Sequence, residues 1–117
     1  VINFLDAETV AKSKTATSAA ALIGQYSHLD LYVDIDVGAG SESIVVTAEV
    51  SSDGGTTWLT APFRDLATVG GDWMTSKTFT ADAEQWLRIE TVARMVRVKA
   101  ANSGANSAVV TITGFPN

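Results

Sequence analysis

The chain has no cysteine. That absence removes disulfide staples, thiolate metal sites and thiol nucleophiles together, and it fits maturation in a reducing cytoplasm. A single histidine leaves no histidine pair for a metal. Long apolar runs are missing too. Stretches such as Ile44 to Val46 fall far short of the roughly 20 residues that a membrane-spanning helix requires, and no basic segment leads into an apolar stretch at the N-terminus. No membrane segment and no signal are expected. Basic residues are also scarce: 8 Lys and Arg against 13 Asp and Glu give a net charge of -5. That balance repels a phosphate backbone, so nucleic acid is not an expected partner.

What is present suffices for one domain spanning residues 1–117, because a chain of this length buries about two-thirds of the surface its unfolded form exposes. The charges are unevenly distributed. Asp30, Asp34, Asp36, Glu42, Glu49 and Asp53 follow one another with no intervening Lys or Arg, whereas Arg88, Arg94, Arg97 and Lys99 cluster late. Acidic strands are expected to face basic ones, within one molecule or across subunits. Such surface pairs contribute only ~0–1 kcal/mol each and set register more than affinity.

The clearest periodicity is Leu29, Leu31, Val33, Ile35 and Val37 alternating with His28, Asp30, Tyr32, Asp34 and Asp36, the period of a strand with one buried face. A turn at Gly38 to Ser41 leads to a second alternating run, Ile44 to Val50, and the two read as an antiparallel hairpin. After Asp53-Gly54-Gly55 a short strand, Thr57 to Thr60, precedes Pro62, which cannot donate to a ladder and so fits an edge. Ala61 to Gly71 reads as a loop, followed by strands at Trp73 to Phe79, Trp86 to Glu90 and Arg94 to Ala100. A last hairpin is expected from Val96 and Val98 through the turn Asn102-Ser103-Gly104-Ala105-Asn106 to Val110 and Ile112. Short β-branched strands separated by turns predict an all-β, antiparallel β-sandwich or jelly-roll-like domain, with a closed barrel as second choice. Residues 1–21 are weakly patterned: an N-terminal arm anchored by Ile2, Phe4 and Leu5, or a pair of outer strands.

Candidate chemistry is thin. Ser27, His28, Asp30 and Ser43 lie near one another in sequence, but neighbours on a strand point to opposite faces and no nucleophile elbow is present. Asp30, Asp34 and Asp36 offer carboxylates to Ca²⁺, yet a strand does not converge its ligands as a loop does. The sequence therefore predicts no catalytic, cofactor or metal residues, and no enzyme. Trp58, Trp73, Trp86, Tyr26 and Tyr32 suit a sugar-binding platform or a core; Trp86, in phase with Arg88 and Glu90, and Tyr32, in phase with Asp34, are the ones expected at the surface.

Ser51-Ser52-Asp53-Gly54-Gly55-Thr56-Thr57-Trp58 resembles the Asp-box, a hairpin pattern of many β proteins. In it Ser51, Asp53, Gly55, Thr57 and Trp58 have a structural role: the aspartate accepts backbone N–H groups, the glycines permit positive φ, and the tryptophan packs back over the turn. A propeller would need several such boxes, and only one exists here. The long alternating strand, this hairpin, Ala93 to Val98 and the Gly/Asn/Ser turn into Ala108 to Ile112 together resemble the small β-sandwich domains of tailed-phage virion proteins. That resemblance implies a capsid decoration or cement subunit on the exterior of the virion, assembled in the host cytoplasm. Its implied partners are the major capsid protein and copies of itself in a homotrimer. Contact candidates are Ile2, Phe4, Leu5, Tyr32, Trp86, Arg88, Arg94 and Arg97. The alternative is a carbohydrate-binding or adhesion module of a phage tail or fibre, with a glycan as partner.

Overall fold

A computed structural model describes residues 1–38, 43–67, 70–91 and 93–117. Apolar residues at every second position form four long strands, β4 (Leu29–Asp36), β5 (Ile44–Ser51), β10 (Met95–Asn102) and β11 (Ala108–Pro116). Alternate side chains in each are buried and the ones between are half exposed, as expected of a strand with one face on a core. Around them lie β1 (Ile2–Val10), β2 (Thr15–Thr17), β3 (Ala21–Leu22), β6 (Leu59–Ala61), β7 (Arg64–Asp65), β8 (Lys77–Phe79) and β9 (Ala83–Ile89).

The strands form two antiparallel sheets. The first has the order β1-β11-β4-β9-β7; the second has the order β2-β10-β5-β6, with β3 also on β10 and β8 also on β5. Leu31, Val33, Ile35, Leu87, Val110 and Ile112 of the first sheet and Ile44, Val46, Ala48, Val96, Val98 and Ala100 of the second belong to one fully buried cluster. Each large aliphatic side chain so buried contributes about 1.5–3 kcal/mol. The expected antiparallel β-sandwich is the observed architecture.

Two expected hairpins are not hairpins. β4 pairs with β11 and β9, while β5 pairs with β10, β6 and β8, so the connection after Asp36 carries the chain from one sheet to the other. Of the turn expected at Gly38 to Ser41, Gly38 has φ +64° and donates its N–H to Asp36 Oδ1 at 3.0 Å, and the rest lies outside the described residues. β10 and β11 are likewise in different sheets. Their corner is organised by buried Asn102, whose Nδ2 donates to the carbonyls of Val10 and Asn106 at 2.9 and 2.8 Å while its Oδ1 accepts the Gly104 N–H at 2.8 Å. Alternation reports which face of a strand is buried, not which strand lies beside it, and strands of facing sheets carry the same pattern.

The hairpin that does form joins β5 to β6, with Val50 opposite Leu59. Its turn extends through Trp58, so the strand expected at Thr57 to Thr60 begins two residues later. The expected loop Ala61 to Gly71 contains β7, and the strand expected at Trp73 to Phe79 pairs only from Lys77, apart from a bridge between Met74 and Phe63.

Residues 1–21 make outer strands: β1 on β11, and β2 with the start of β3 on β10. Ser18 fastens the second of these, its Oγ accepting the Val98 N–H while its own N–H donates to the Val98 carbonyl, both at 2.9 Å. Phe4 and Leu5, taken from the sequence as partner contacts, are buried in the chain's own core at 7% and 6% exposure. Register shifts in β1 between Asn3 and Leu5 and between Leu5 and Glu8 let two adjacent side chains both turn inward. Only Ile2 of that trio is left partly exposed.

Phe4 packs where Gly114 has no side chain. A Cβ at position 114 would stand 2.5 Å from Phe4 Cε2 and 3.2 Å from Leu29 Cδ1. Gly114→Ala is therefore expected to destabilise the fold by about 1–3 kcal/mol through overpacking, read from urea denaturation at unchanged m. An unaltered midpoint would show that β1 yields without cost.

Candidate functional site

With one row of each long strand β4, β5, β10 and β11 committed to the core, the other row forms the chemistry of two outer faces. On the first sheet, Tyr32 of β4 stands opposite Trp86 of β9, and Asp30 stands opposite both Arg88 of β9 and Phe115 of β11. The Tyr32 and Trp86 ring centroids are 5.2 Å apart at 48°, and those of Trp86 and Phe115 are 5.4 Å apart at 47°. Such tilted pairs attract by more than area burial alone. Trp86 is nonetheless 43% exposed. Tyr32 and Phe115 lean on it from the β4 and β11 side. Trp86 also lines a cleft of about 440 Å³ together with Asp30, Leu66, Ala67, Glu84 and Gln85.

Arg88 is not a free cation beside this cleft. Its Nε donates to Asp30 Oδ1 at 2.7 Å and its Nη2 to Asp30 Oδ2 at 3.1 Å. This bidentate bond, against some desolvation, pushes the guanidinium pKa further up. At the far end of the face Asp34, Asp36, Asp82 and Glu84 surround an open depression. Among the described residues no cation lies within 4.0 Å of any of these four. Partial burial, together with a hydrogen bond to Glu84 and the charges of Glu84 and Asp34, raises the Tyr32 hydroxyl pKa. The described residues contain no group of three or more His, Cys, Asp or Glu arranged to hold a metal ion. Asp82 and Asp36 are instead engaged with the backbone N–H groups of Val37 and Gly38.

Ser27, His28 and Asp30 do come close, but not as a proton relay. Ser27 Oγ donates to the Asn117 carbonyl at 3.0 Å and is 3.5 Å from His28 Nδ1. His28 Nε2 is 3.9 Å from Asp30 Oδ2, too far for a hydrogen bond, and both Asp30 oxygens are held by Arg88.

The second sheet presents a different face. Arg97 Nε donates to Glu49 Oε1 at 2.8 Å, and Lys99 Nζ approaches the same oxygen at 3.2 Å. Desolvation opposes the ionisation of Glu49, but these two cations prevail and hold its pKa below the ordinary value. The Arg97 guanidinium also lies 4.2 Å from the centre of the Trp58 ring. Leu22, 68% exposed, pairs with Met95 on this side, and Arg94 precedes Met95 in the chain. The three arginines singled out from the sequence are therefore divided, Arg88 on one face and Arg97 with its neighbour Arg94 at the other.

Trp58 is placed by the turn before it. Ser51 Oγ donates to Asp53 Oδ1 at 2.8 Å and accepts the Gly55 N–H at 2.9 Å. Asp53 Oδ1 accepts the N–H groups of Thr56 and Thr57 at 3.1 and 2.8 Å, and Trp58 Nε1 donates to the Gly55 carbonyl at 3.1 Å. Gly54 and Gly55 adopt φ of +80° and +94°, a region that residues with a Cβ rarely enter. Sequence reasoning singled out Tyr32, Trp86 and the turn residues but missed Phe115. Its signal was present: Thr111, Thr113 and Phe115 continue the outward phase of β11.

No family model matches the chain, and no curated protein matches it in sequence. Solved structures with a similar fold include PirA, at a TM-score of 0.56 and 16% identity over 92% of this chain and 90% of that one. SPBc2 prophage-derived protein YomS gives 0.44 and 13% over 96% and 90%. CBM28, a carbohydrate-binding module specific for non-crystalline cellulose, gives 0.43 and 12% over 77% and 57%. The likeness to PirA shows a shared fold; the other two, below 0.5, are looser likenesses of shape.

The backbone N–H of Thr57, then the hydroxyls of Ser51 and Thr57, lower the Asp53 pKa to about 2. A carboxyl depressed in the folded state adds stability above its unfolded pKa of about 3.9, and that stability is lost as pH falls through the folded value. Asp53→Asn is expected to lower the urea midpoint at pH 7, with the deficit relative to the parent shrinking between about pH 4 and pH 2. A deficit that does not change with pH would show that the turn is held by shape and not by charge.

Proposed function

We propose that this chain is a non-catalytic structural subunit of a tailed-phage particle, decorating the capsid exterior by docking on the major capsid protein. The observation that supports this reading is the patch beside the Ser51–Trp58 turn. There Leu22 stands in solvent next to Met95, and Trp58 lies under Arg97 with Arg94 nearby. Arginine, methionine and tryptophan are the residue types enriched where proteins meet. The hydrogen-bonded turn holds Trp58 in place, which leaves its side chain less freedom to lose on docking. The order of strands and turns that resembles phage virion domains points the same way.

The mechanism is mass action. A subunit that binds only the assembled shell adds its binding free energy to shell stability, and many such sites resist internal pressure. A stable contact calls for about 800 Å² on each partner. The subunit acts as a homotrimer, assembled in the host cytoplasm and displayed on the finished particle. The carbohydrate-binding alternative draws on the opposite face, where Trp86 stands.

The test is light scattering on the purified chain followed by co-sedimentation with empty phage shells. A trimer that binds shells saturably is expected. The double variant Leu22→Ser, Arg94→Glu should weaken that binding at least about tenfold with an unchanged unfolding midpoint. A monomer that ignores shells would overturn the reading.

A further inference from the structure

The cleft beside Trp86 has a construction that shell docking through the opposite sheet does not use. We propose that it binds one pyranose ring of an uncharged glycan, stacked on the free face of the Trp86 indole. This adds a second activity to a subunit attached by the other sheet.

A sugar ring has an apolar face of C–H groups and a rim of hydroxyls, so its site needs a flat aromatic surface with planar polar groups at the edge. Trp86 supplies the surface. Tyr32 and Phe115 pack against its ring, which limits the side-chain freedom lost when a ligand arrives, and the 43% of Trp86 left exposed lines the cleft. The cleft volume of about 440 Å³ falls within the 300–1,000 Å³ usual for small-ligand sites.

The polar rim selects the class of sugar. Glu84 is a hydroxyl acceptor at the cleft wall. Gln85 points to the opposite face of β9, where its Nε2 donates to Asp65, so Glu84 is the side-chain acceptor beside the indole. Arg88 is occupied by Asp30 and offers little to an anion. Asp34 and Glu84, facing each other across β4 and β9, add negative charge on the same face. Sialylated, uronic and phosphorylated sugars are therefore repelled. The tilts of 48° and 47° within the aromatic trio leave no coplanar platform, so one ring stacks, not a row of them along a flat crystalline surface.

The experiment is an array of neutral, sialylated and uronic oligosaccharides probed with the purified chain. The strongest neutral hit is then titrated by tryptophan fluorescence. Neutral hits are expected, with Trp86→Ala lowering affinity at least about tenfold. Trp86→Phe, which keeps a stacking ring and guards against a general loss of structure, should lower it by no more than roughly threefold. Trp73→Ala, which removes an exposed tryptophan outside the cleft, should change nothing. An empty array, hits confined to anionic sugars, or neutral binding that survives Trp86→Ala would each overturn the proposal. Shell co-sedimentation of Trp86→Ala separates this outcome from the docking reading: the variant should bind shells like the parent even when its glycan binding is gone.

Discussion

The rest of this structure depends on the packing of two sheets whose long strands each surrender one row of side chains to a shared core. Leu31 sits between Leu87 and Gly114 in the first sheet, and Val98 lies beside Ala48 in the second; Leu31, Leu87, Ala48 and Val98 are all fully buried. A slip of one residue in any of these pairings would bring Asp30, Tyr32 or Arg97 into the core and expose the aliphatic row. Register is thus fixed from inside. The outer faces inherit their geometry from it: Tyr32 meets Trp86, and Asp30 meets Arg88, because Leu31 must meet Leu87.

That inheritance decides where charge is compensated. Asp30 with Arg88 and Glu49 with Arg97 are cross-strand pairs of adjacent strands, and Arg64 with Glu90 joins the edge strand β7 to the residue following β9. Exposed pairs contribute only ~0–1 kcal/mol each. Their larger effect is to set the electrostatic character of the faces. Arg88 is neutralised beside the Trp86 cleft and, among the described residues, the four carboxylates at the far end of that face have no cation within 4.0 Å, whereas Glu49 is outnumbered by Arg97 and Lys99 on the opposite side. Within one molecule, acidic and basic strands face each other at Asp30 with Arg88 and at Glu49 with Arg97 and Lys99, but not at Asp34 or Asp36.

The sequence makes burial legible and neighbours illegible. The alternation in β4, β5, β10 and β11 identifies both the strands and their inward rows, because period 2 follows from the pleat itself. The same alternation suits a hairpin partner and a strand of the facing sheet equally well, which is why β4–β5 and β10–β11 read as hairpins and are crossovers. The Ser51–Trp58 turn is legible in detail because its contacts span only a few residues. β1 is not, since Phe4 and Leu5 are inward together only through bulges that no periodicity announces. Tyr32 and Trp86 can each be assigned to the surface by phase. Their meeting, with Phe115 completing the cluster, depends on a pairing between strands more than fifty residues apart.

The two proposals address a single difficulty, which is that one stacked sugar ring binds weakly. A lone cleft open to solvent and flanked by a single indole gains little area, so its single-site affinity is modest, within reach of an array and a titration and short of durable attachment. Under the proposed docking, attachment to a shell by the other sheet changes the arithmetic without changing the cleft. Neighbouring copies then meet the same glycan layer at an effective concentration set by their spacing, and avidity exceeds the single-site affinity by roughly 10²–10⁴ when the geometry allows joint engagement. A face that holds the particle and a face that samples a surface must point in opposite directions for this to work. In this two-layer sandwich the outward rows of Trp86 and of Arg97 belong to different sheets and so meet that requirement.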